Sequence, residues 1–492
     1  MRFACAVFSL VIGLGLAGTL EAAPIFPDTE YGKVASLFFE SFNSGEAEKV
    51  RSFTLKYRSE DALAKKTIEQ RVEQYDGMRL QIGELRPEKL MEEGESHITI
   101  VAFATAAQMW ASVKLEFVEE DEMAKIDAIA IQPTGDPHKQ HASFESGQTI
   151  SEMVEEFLSI TGSPAAAAAF ADLEGVLAVE VAGVRASGAE AKVEVDDRFH
   201  IGSVAKSMTG SVIASLIQDG KLSRDDTLME LIPNTKMKAA YKDVTLEEVL
   251  AHRSGVPPYT ALDEKAGAEL AAFEGNPAEQ RKAFMERVLN EDPTSRGGFA
   301  YSNAGYSLLA HIAEEATGKS WEQLIEEIVF KPLKLHSAGF GWPASEAMPD
   351  QPRGHYAMGE NVIVQPFGEY ELPLCMDPAG DIHTSAKDLV RYAQAHLRGL
   401  NGEDTFLKAE TIQEIHRPDP QWGDDNNYVA GWVIDEDRHW HNGSAGTFYT
   451  LMILDLKNNL ASVVMVNSGS GDNEPNGMKL IEAFTESYLE NK

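Results

Sequence analysis

A turn-rich stretch, residues 133–151, divides this chain into two regions. Around it the sequence reads Gln-Pro-Thr-Gly-Asp-Pro-His-Lys-Gln-His, and clustered proline, glycine and polar residues predict turns rather than a helix or a strand. The chain has 492 residues, more than a single hydrophobic core usually holds. We therefore predict a first domain at residues 24–135, a linker at 136–150 and a second domain at 151–492.

The first residues have the pattern of a secretory signal peptide. A short basic start is followed by an apolar run at residues 3–20 and then by Glu-Ala-Ala-Pro, the order of a basic segment, an apolar segment and a cleavage site. A retained membrane anchor is the alternative, because the run is just long enough to span a bilayer. We predict a signal peptide at residues 1–23 with cleavage near 22–23, a secreted or periplasmic protein, and no stable membrane insertion afterwards.

The charge balance excludes one class of partner. The chain has 43 Lys and Arg residues against 78 Asp and Glu residues, a net charge of −35. Such a surface repels phosphate backbones and anionic lipids, so we expect no nucleic acid partner. A small-molecule or peptide substrate remains, and the sequence implies no metal or organic cofactor, with no His-Glu-x-x-His zinc motif present.

The first region combines helical and strand-like patterns. Val34, Leu37 and Phe38 fall on one helical face, and a second helical stretch covers residues 61–75. Strand-like runs follow at residues 79–85, 97–104, 109–118 and 125–131. Helices followed by a curved antiparallel sheet resemble the cone-shaped fold of nuclear transport factor and steroid isomerase relatives. The sequence places no chemistry in this domain, and its partner is left open.

The second region opens with an amphipathic helix at residues 150–160, followed by five alanines at 165–169. Low complexity is compatible with a flexible linker. However, an apolar run at residues 176–184 follows the alanines. The two runs together predict two buried strands joined by a turn. Small side chains there would let a helix pack close to the sheet.

Residues 199–206, Phe-His-Ile-Gly-Ser-Val-Ala-Lys, run from a strand end into a helix. Ser203 and Lys206 share a helix face at this spacing, so Lys206 can take the Ser203 Oγ proton if burial and neighbouring positive charge lower the lysine pKa. Ser203 also offers its backbone N–H to a developing oxyanion. The structural alternative is a capping serine followed by an exposed lysine.

Two further motifs accompany this pair. Tyr301 and Asn303 lie in a glycine-rich loop that enters a helix; a phenol shuttles protons when nearby cations lower its pKa, and an amide holds a substrate carbonyl. His441, Gly443 and Ser444 precede a buried-strand pattern, where a cation and a glycine at a strand edge pair with an extended substrate and Ser444 supplies a second oxyanion N–H. Alone, Tyr-x-Asn is also a turn and His-Asn-Gly also a hairpin.

In their order and separation, these motifs resemble those of the serine β-lactamase and penicillin-binding superfamily, in its class C-like branch. Two flanking loops agree, Leu-Ala-His-Arg-Ser-Gly-Val-Pro at residues 250–257 and Pro-Ala-Gly-Asp-Ile-His-Thr-Ser at 378–385. The resemblance covers residues 149–492. It implies an α+β fold, an α/β sandwich of an antiparallel sheet flanked by helices, with a helical subdomain.

The resemblance also implies roles for the motif residues. Ser203 would be the nucleophile, Lys206 the general base and Tyr301 a partner proton shuttle. Substrate binding would fall to the remaining motif positions, Asn303, His441, Gly443 and Ser444. The implied reaction is acyl transfer through an acyl-enzyme by a penicillin-binding-protein-like peptidase or amidase. A small-ester carboxylesterase, a true β-lactamase and a non-catalytic sensor or binding protein remain alternatives.

Two positions depart from the pattern of β-lactamases. His441 stands where they usually have lysine, and Asp381 stands where relatives usually have a second glycine. Both count against a true β-lactamase. Asp435 and Asp437 are close to His441 in sequence and are the candidates for raising its pKa. A cationic His441 would hold a substrate carboxylate, so we expect the efficiency on carboxylate-bearing substrates to fall as His441 loses its proton.

Overall fold

The structure is a computed structural model that describes residues 25–492, except for 66, 95, 107–108, 121–122, 136, 139–141, 146, 261–263, 295, 359–360, 370–371 and 423–426. Its contacts divide the chain into two compact units, Met1–Pro133 and Thr134–Lys492. The predicted signal peptide at residues 1–23 lies outside the described residues. In the part of the chain that is described, no helix has the length and apolar character needed to cross a membrane.

The first unit has helices followed by an antiparallel sheet. Its described elements are α1 (Glu30–Ser44), α2 (Ala47–Tyr57), α3 (Glu60–Lys65), α4 (Ile68–Ile82), β1 (Leu85–Glu93), β2 (His97–Ala104), β3 (Met109–Glu120) and β4 (Met123–Pro133). The strands pair in chain order. Val34 and Phe38 on α1 share one apolar core with Ile98 and Ile100 on β2, which confirms the helical face predicted from the sequence.

The boundaries predicted around residues 61–85 are wrong. The chain forms two helices, α3 and α4, instead of one stretch at 61–75, and the segment predicted as a strand at 79–85 mostly belongs to α4. The alternating residues Arg-Leu-Gln-Ile fit a helix end as well as a strand. Gly83, with φ +76°, ends the helix because a residue without Cβ adopts the left-handed conformation at low cost. The other predicted strands match β2, β3 and β4, and the nuclear transport factor resemblance stays a prediction.

The second unit is a mixed α+β fold, as predicted. Its described helices are α5 (Ile150–Thr161), α6 (Ala205–Gln218), α7 (Leu228–Leu231), α8 (Leu246–Leu250), α9 (Glu264–Ala271), α10 (Pro277–Val288), α11 (Asn303–Thr317), α12 (Trp321–Ile325), α13 (Lys331–Leu333), α14 (Ala386–Leu400), α15 (Ala409–Ile415) and α16 (Asn473–Asn491). Its described strands are β5 (Ala165–Ala171), β6 (Val176–Gly183), β7 (Phe199–His200), β8 (Gly339–Phe340), β9 (His355–Met358), β10 (Asn361–Val364), β11 (Ile382–Thr384), β12 (Tyr428–Val429), β13 (Trp432–Ile434), β14 (Arg438–Ser444), β15 (Tyr449–Asp455) and β16 (Leu460–Val466).

The main sheet of this unit is buried on both faces. Its described strands pair antiparallel in the order β12-β13-β14-β15-β16-β5-β6. Successive side chains of a strand point to opposite faces, and on β16 Val463 lies in a core with residues of α6 and α14, whereas Val464 lies in a core with Phe157 of α5 and Phe484 of α16. Helices therefore cover both sides of the sheet, the arrangement predicted as a sandwich.

The alanine run forms an inner strand of this sheet. Every residue of β5 is buried, and β5 pairs with β16 on one side and with β6 on the other, which confirms that the run is sheet core. The run at 176–184 is less buried than predicted, because β6 is the edge strand. Within the stretch predicted as a linker, Ala142 donates its backbone N–H to Asn476 Oδ1 on α16 at 2.8 Å.

Three segments meet at the N-terminus of α6. β7 pairs with β11 through His200 and His383, which brings the loop before β11 beside residues 201–204. The end of β14 contacts the same turn, since an added Cβ on Gly443 would lie 2.0 Å from the Ile201 carbonyl oxygen. The main sheet, through β14, and the small β7-β11-β8 sheet, through β7, thus hold in place the turn that carries Ser203.

Candidate active site

Ser203 and Lys206 are in contact. Ser203 lies in a single 3₁₀ turn, Gly202–Val204, directly before α6, and Lys206 lies in the first turn of that helix. Lys206 Nζ lies at hydrogen-bond distance from Ser203 Oγ, 3.0 Å, and donates to the Ala379 carbonyl oxygen at 2.6 Å. The helical spacing read from the sequence therefore places the amine on the serine hydroxyl.

Burial gives Lys206 the properties of a base. The residue is completely buried, and burial lowers its pKa well below the ordinary value of 10.5, because the charged ammonium loses its hydration. Among the described residues, no carboxylate forms an ion pair with it. The alternative of an exposed lysine is wrong for this position. A neutral amine with a free lone pair is the form that accepts a proton from a hydroxyl.

Tyr301 contacts the same two residues. Its hydroxyl forms a hydrogen bond with Ser203, and Lys206 Nζ lies 4.9 Å from the centre of its ring. No cation among the described residues lowers its pKa: burial raises the Tyr301 pKa well above 10, because a buried phenolate would lose its hydration. The phenol therefore keeps its proton and acts toward Ser203 as a hydrogen-bonding acid.

Asn303 is held at the start of α11. Ser302 caps this helix, its Oγ accepting from the Gly305 backbone N–H at 2.9 Å. Asn303 Nδ2 donates to the Tyr259 carbonyl oxygen at 3.1 Å, and its Oδ1 is buried without a hydrogen-bond partner. One Nδ2 hydrogen and the Oδ1 acceptor are therefore left for a substrate. The unused hydrogen can donate to a substrate carbonyl oxygen, which is the contact predicted from the sequence.

The backbone at the end of β14 packs directly on the Ser203 turn. A Cβ added to Gly443 would lie 2.8 Å from Ser203 N, and one added to Gly202 would lie 2.7 Å from Ser444 N. No side chain fits at either position, so glycine is required for this approach. The backbone N–H groups of Ser203 and Ser444 thus come from adjoining segments, the placement that the predicted oxyanion pair needs.

His441 is close to the site but is not a cation. Its Nε2 lies 3.1 Å from the Tyr428 hydroxyl and its Nδ1 bonds the Asn442 carbonyl oxygen. Burial and the neighbouring Lys206 lower the His441 pKa to about 3. The expectation that Asp435 or Asp437 raises it is wrong, because Asp435 instead accepts from Trp440 Nε1 at 2.7 Å.

Two aromatic residues of the site were not predicted from the sequence. The ring of His252 lies 4.5 Å from that of Tyr301 and 4.7 Å from that of Tyr428. Its Nδ1 accepts from the Ser302 backbone N–H at 3.1 Å, and burial, with Lys206 and His441 nearby, lowers its pKa well below 6.5. The family-like loop at residues 250–257 was the sequence signal for His252, whereas no motif marks Tyr428.

His200 and Asp381 hold the backbone before the nucleophile. His200 Nδ1 accepts from the Gly202 backbone N–H at 3.2 Å, and its Nε2 lies 2.9 Å from Asp381 Oδ1. Because Nδ1 is an acceptor, Nε2 carries the hydrogen and donates to the carboxylate. Asp381, which the sequence marks as a departure from its relatives, therefore has a partner on the strand that leads into Ser203.

A chain of three buried histidines in the same unit is not a metal site. His396 Nδ1 lies 2.9 Å from His416 Nε2, and His416 Nδ1 lies 2.9 Å from His439 Nδ1. Since the two nitrogens of His416 point to different partners, the rings do not converge on one point. Within the described parts of the chain, no cluster of His, Cys, Asp and Glu side chains is arranged to hold a metal ion.

Comparison with known sequences identifies related proteins. The family described as Beta-lactamase matches residues 150–483. Protein flp of Staphylococcus aureus (strain MW2) is 26% identical over 286 residues, 57% of this chain and 54% of that protein. Penicillin-binding protein 4 of Amycolatopsis lactamdurans is 29% identical over 330 residues, 62% of this chain and 81% of that protein. The matched part of the chain spans about half the length of Protein flp.

Solved structures share the fold. The penicillin-binding protein homologue from Pyrococcus abyssi has a TM-score of 0.55 and 23% identity, covering 68% of this chain and 76% of its own. The D-amino acid amidase from Ochrobactrum anthropi SV3, complexed with L-phenylalanine amide, has a TM-score of 0.55 and 20% identity, covering 69% of this chain and 98% of its own. The superfamily and the α+β fold predicted from the motifs are confirmed.

Proposed function

The chain belongs to the Beta-lactamase family, and from this membership we propose that it is a serine hydrolase that forms an acyl-enzyme on Ser203 with amide or ester substrates. The observation that carries the proposal is the 3.0 Å contact from Lys206 Nζ to Ser203 Oγ, made by a lysine whose pKa burial lowers well below its ordinary value. Structural likenesses to a penicillin-binding protein homologue and to a D-amino acid amidase support this reaction class.

The proposed reaction uses these groups in sequence. Lys206 takes the Ser203 proton as Oγ forms a bond to the substrate carbonyl carbon, and the N–H groups of Ser203 and Ser444 stabilise the oxyanion. The tetrahedral intermediate then collapses, and the leaving nitrogen or oxygen takes a proton from the Lys206 ammonium, directly or through the Tyr301 hydroxyl. Water attacks the acyl-enzyme by the same steps, releasing the acid and restoring Ser203 and neutral Lys206.

The charge of the site supports amides and esters over β-lactams. A β-lactam, like a peptide ending in D-Ala, carries a carboxylate that a fixed cation would hold. Lys206, His252 and His441 are the basic side chains around Ser203 described above, and the pKa of each is lowered. Among penicillin-binding-protein-like peptidases and amidases, we therefore propose one whose substrates lack a terminal carboxylate, with a small-ester carboxylesterase as the second candidate favoured by the same lowered pKa values.

Covalent labelling tests the proposal. A fluorophosphonate probe is expected to add mass to the peptide that contains Ser203, and Ser203→Ala is expected to abolish both labelling and hydrolysis of nitrophenyl esters and amino-acid amides. Ser223→Ala, which changes an exposed serine beyond α6, is the matched control and should keep both. Labelling at another residue, or an active Ser203→Ala protein, contradicts the proposal.

A substrate panel then separates the candidates. Purified wild-type protein is incubated with D-amino-acid amides, D-Ala-D-Ala peptides, penicillins and nitrophenyl esters. The peptidase or amidase proposal expects the highest kcat/KM on an amide, and the esterase candidate expects turnover of esters alone. Rapid penicillin hydrolysis would show a true β-lactamase. A protein that binds these compounds without labelling or turnover at Ser203 would be the non-catalytic sensor.

A further inference from the structure

A cavity of about 790 Å³ in the second unit includes Asp381, the partner of His200, in its lining. Aromatic rings form much of its wall, contributed by Phe340, Trp342, Phe367 and Phe448. Two carboxyl groups, those of Asp377 and Asp381, also line it. None of the motifs found in the sequence accounts for this combination, and the reaction proposed above does not use it.

The segment that lines the cavity also reaches the proposed active site. Ala379, whose carbonyl oxygen accepts from Lys206 Nζ, and the cavity residue Asp381 are separated only by Gly380. A Cβ added to Gly380 would lie 3.8 Å from Ser203 N, so the missing side chain leaves room beside the backbone N–H of the nucleophile. The lining residue Asp381 is therefore next in the chain to the glycine that packs on the Ser203 turn.

Among the described residues, Asp377 at the carboxyl end of the cavity forms no ion pair. Asp377 is 4% exposed, and its Oδ1 has no hydrogen-bond partner. Arg281 is the cation that acts on it, but that guanidinium is already bound to Glu314 at 2.6 Å and to Glu322 at 2.9 Å. Burial and Asp381 raise the pKa of Asp377 well above its ordinary value. A buried carboxylate oxygen without a partner is costly, and a bound cation removes the cost.

The aromatic wall suits a cation as well. The Trp342 and Phe448 rings stack with centroids 5.7 Å apart, and Trp342 also lies 4.5 Å from the ring of His200. The faces of such rings attract ammonium groups, and aromatic walls combined with a carboxylate are a recurring ammonium site. The one arginine of the lining, Arg353, lies over the Phe367 ring at 4.1 Å and donates to the Gln365 carbonyl oxygen, so its charge is engaged there.

We propose that this cavity binds an ammonium group of the substrate, between the aromatic wall and the carboxyl groups of Asp377 and Asp381. The inference rests on the proposed function, since it names the substrate class of the same site: amides or esters that carry a positive charge. Asp381 contributes a carboxyl group, one oxygen of which His200 holds in place. Asp377 gives up its proton when a cation enters, because the cation offsets the repulsion between the two carboxylates.

Matched esters test the proposal on the full chain. One pair of nitrophenyl esters has an acyl chain ending in trimethylammonium or in tert-butyl. A second pair of acetate esters carries the same two groups on the alcohol. We expect wild-type protein to prefer the charged member of at least one pair by on the order of ten-fold in kcat/KM. Equal rates for both members of both pairs overturn the proposal.

Isosteric variants locate the preference. Asp381→Asn still accepts from His200 Nε2, so it removes the charge while keeping the Ser203 turn in place, and Asp377→Asn removes the second carboxyl group. Each is expected to reduce the preference to less than about three-fold with a smaller change on the neutral ester. Glu410→Gln, an exposed carboxylate on α15, is the control and should keep the preference. Persistence of the preference in both aspartate variants overturns the proposal.

Salt separates the cavity from the overall negative charge of the chain. In about 1 M sodium chloride the Debye length falls to about 3 Å, so attraction by the surface disappears while a contact inside the cavity remains. The proposal is overturned if the preference for the charged ester disappears at this salt concentration to the same extent in wild type and in Glu410→Gln.

Binding is measured separately from turnover, so that the two proposals fail independently. If no ester is hydrolysed and Ser203 is not labelled, the proposed function fails. The cavity is then tested by the Tm shift with tetramethylammonium chloride against an equal concentration of sodium chloride. A rise in wild type that Asp381→Asn abolishes supports the ammonium site, and the absence of any rise in wild type overturns it.

Discussion

His200 links Asp381 to the backbone of the nucleophile, with Nε2 2.9 Å from Asp381 Oδ1 and Nδ1 3.2 Å from Gly202 N. The imidazole touches neither Ser203 Oγ nor Lys206, so it acts on the reaction by holding the turn. A displaced turn moves Oγ relative to Lys206 and the oxyanion N–H groups, and misplacement of this kind lowers the rate of the chemical step.

We expect His200→Ala to lower kcat by on the order of ten-fold or more, with a smaller change in KM. His200→Asn should restore part of the loss, because its Oδ1 can accept from Gly202 N as Nδ1 does. Steady-state kinetics with a neutral nitrophenyl ester measure both parameters. If His200 only stabilised the fold, both variants would give less folded protein. Their kcat per active site would then equal that of wild type, with the active sites counted by fluorophosphonate titration.

Gly443 tests the close approach of β14 to the Ser203 turn. A Cβ there would lie 2.0 Å from the Ile201 carbonyl oxygen, a distance that only movement of the strand or the turn relieves. We expect Gly443→Ala to reduce kcat/KM by at least about 100-fold and the free energy of unfolding by about 1–3 kcal/mol.

Gly267→Ala is the matched control for this change. Gly267 lies in α9, where an added Cβ meets no atom within 4 Å. The substitution should leave the rate unchanged and raise the free energy of unfolding by about 0.4–1 kcal/mol. Urea denaturation and ester hydrolysis measure both proteins, and a fully active Gly443→Ala enzyme would show that the backbone N–H of Ser444 is not needed.

The sequence predicts those contacts of the site whose residues are close together in the chain, and it does not predict contacts between distant segments. The Ser203–Lys206 contact follows from helical spacing, and the small sheet residues follow from the alanine run at 165–169. Tyr428 reaches His441 from a different strand, a contact that no spacing encodes. The directions of the pKa shifts were also not predictable, because they depend on burial by distant segments: a proton shuttle at Tyr301 was considered on the condition that cations lower its pKa, and burial raises that pKa.

The predicted domain organisation yields a direct test with fragments. The contacts divide the chain after Pro133, and Ala142 is bound to Asn476 by its backbone N–H. We expect a fragment of residues 134–492 to be folded and to hydrolyse nitrophenyl ester at a rate within about three-fold of the full chain.

A shorter fragment, residues 149–492, is the comparison. It lacks Ala142, whose carbonyl oxygen also accepts from Lys479 Nζ at 3.2 Å, so its Tm should be lower than that of the longer fragment. Circular dichroism and thermal scans check both proteins. An insoluble or inert 134–492 fragment would show that the second unit depends on the first, contrary to the predicted boundary.

The pH dependence expected from the structure differs from the one predicted from the sequence. A histidine with a raised pKa would lose its charge between about pH 6.5 and 8 and with it the hold on a substrate carboxylate. The pKa of His441 is instead about 3, and that of His252 is also well below 6.5. His441 is therefore already neutral at pH 5.5 and contributes no inflection above it, and burial moves the pKa of His252 in the same direction.

We therefore expect the ratio of kcat/KM values for a carboxylate-bearing and a neutral amide to stay constant, within about two-fold, from about pH 5.5 to 8. Lys206 must be unprotonated to accept the Ser203 proton, so kcat/KM for both substrates should rise together with pH through the lysine titration, which burial has moved below 10.5. His441→Lys adds a cation at the strand edge and should raise the ratio in favour of the carboxylate-bearing substrate. A ratio that declines in wild type through pH 6–7 would mean that His441 is cationic after all, and that substrates are held by their carboxylate.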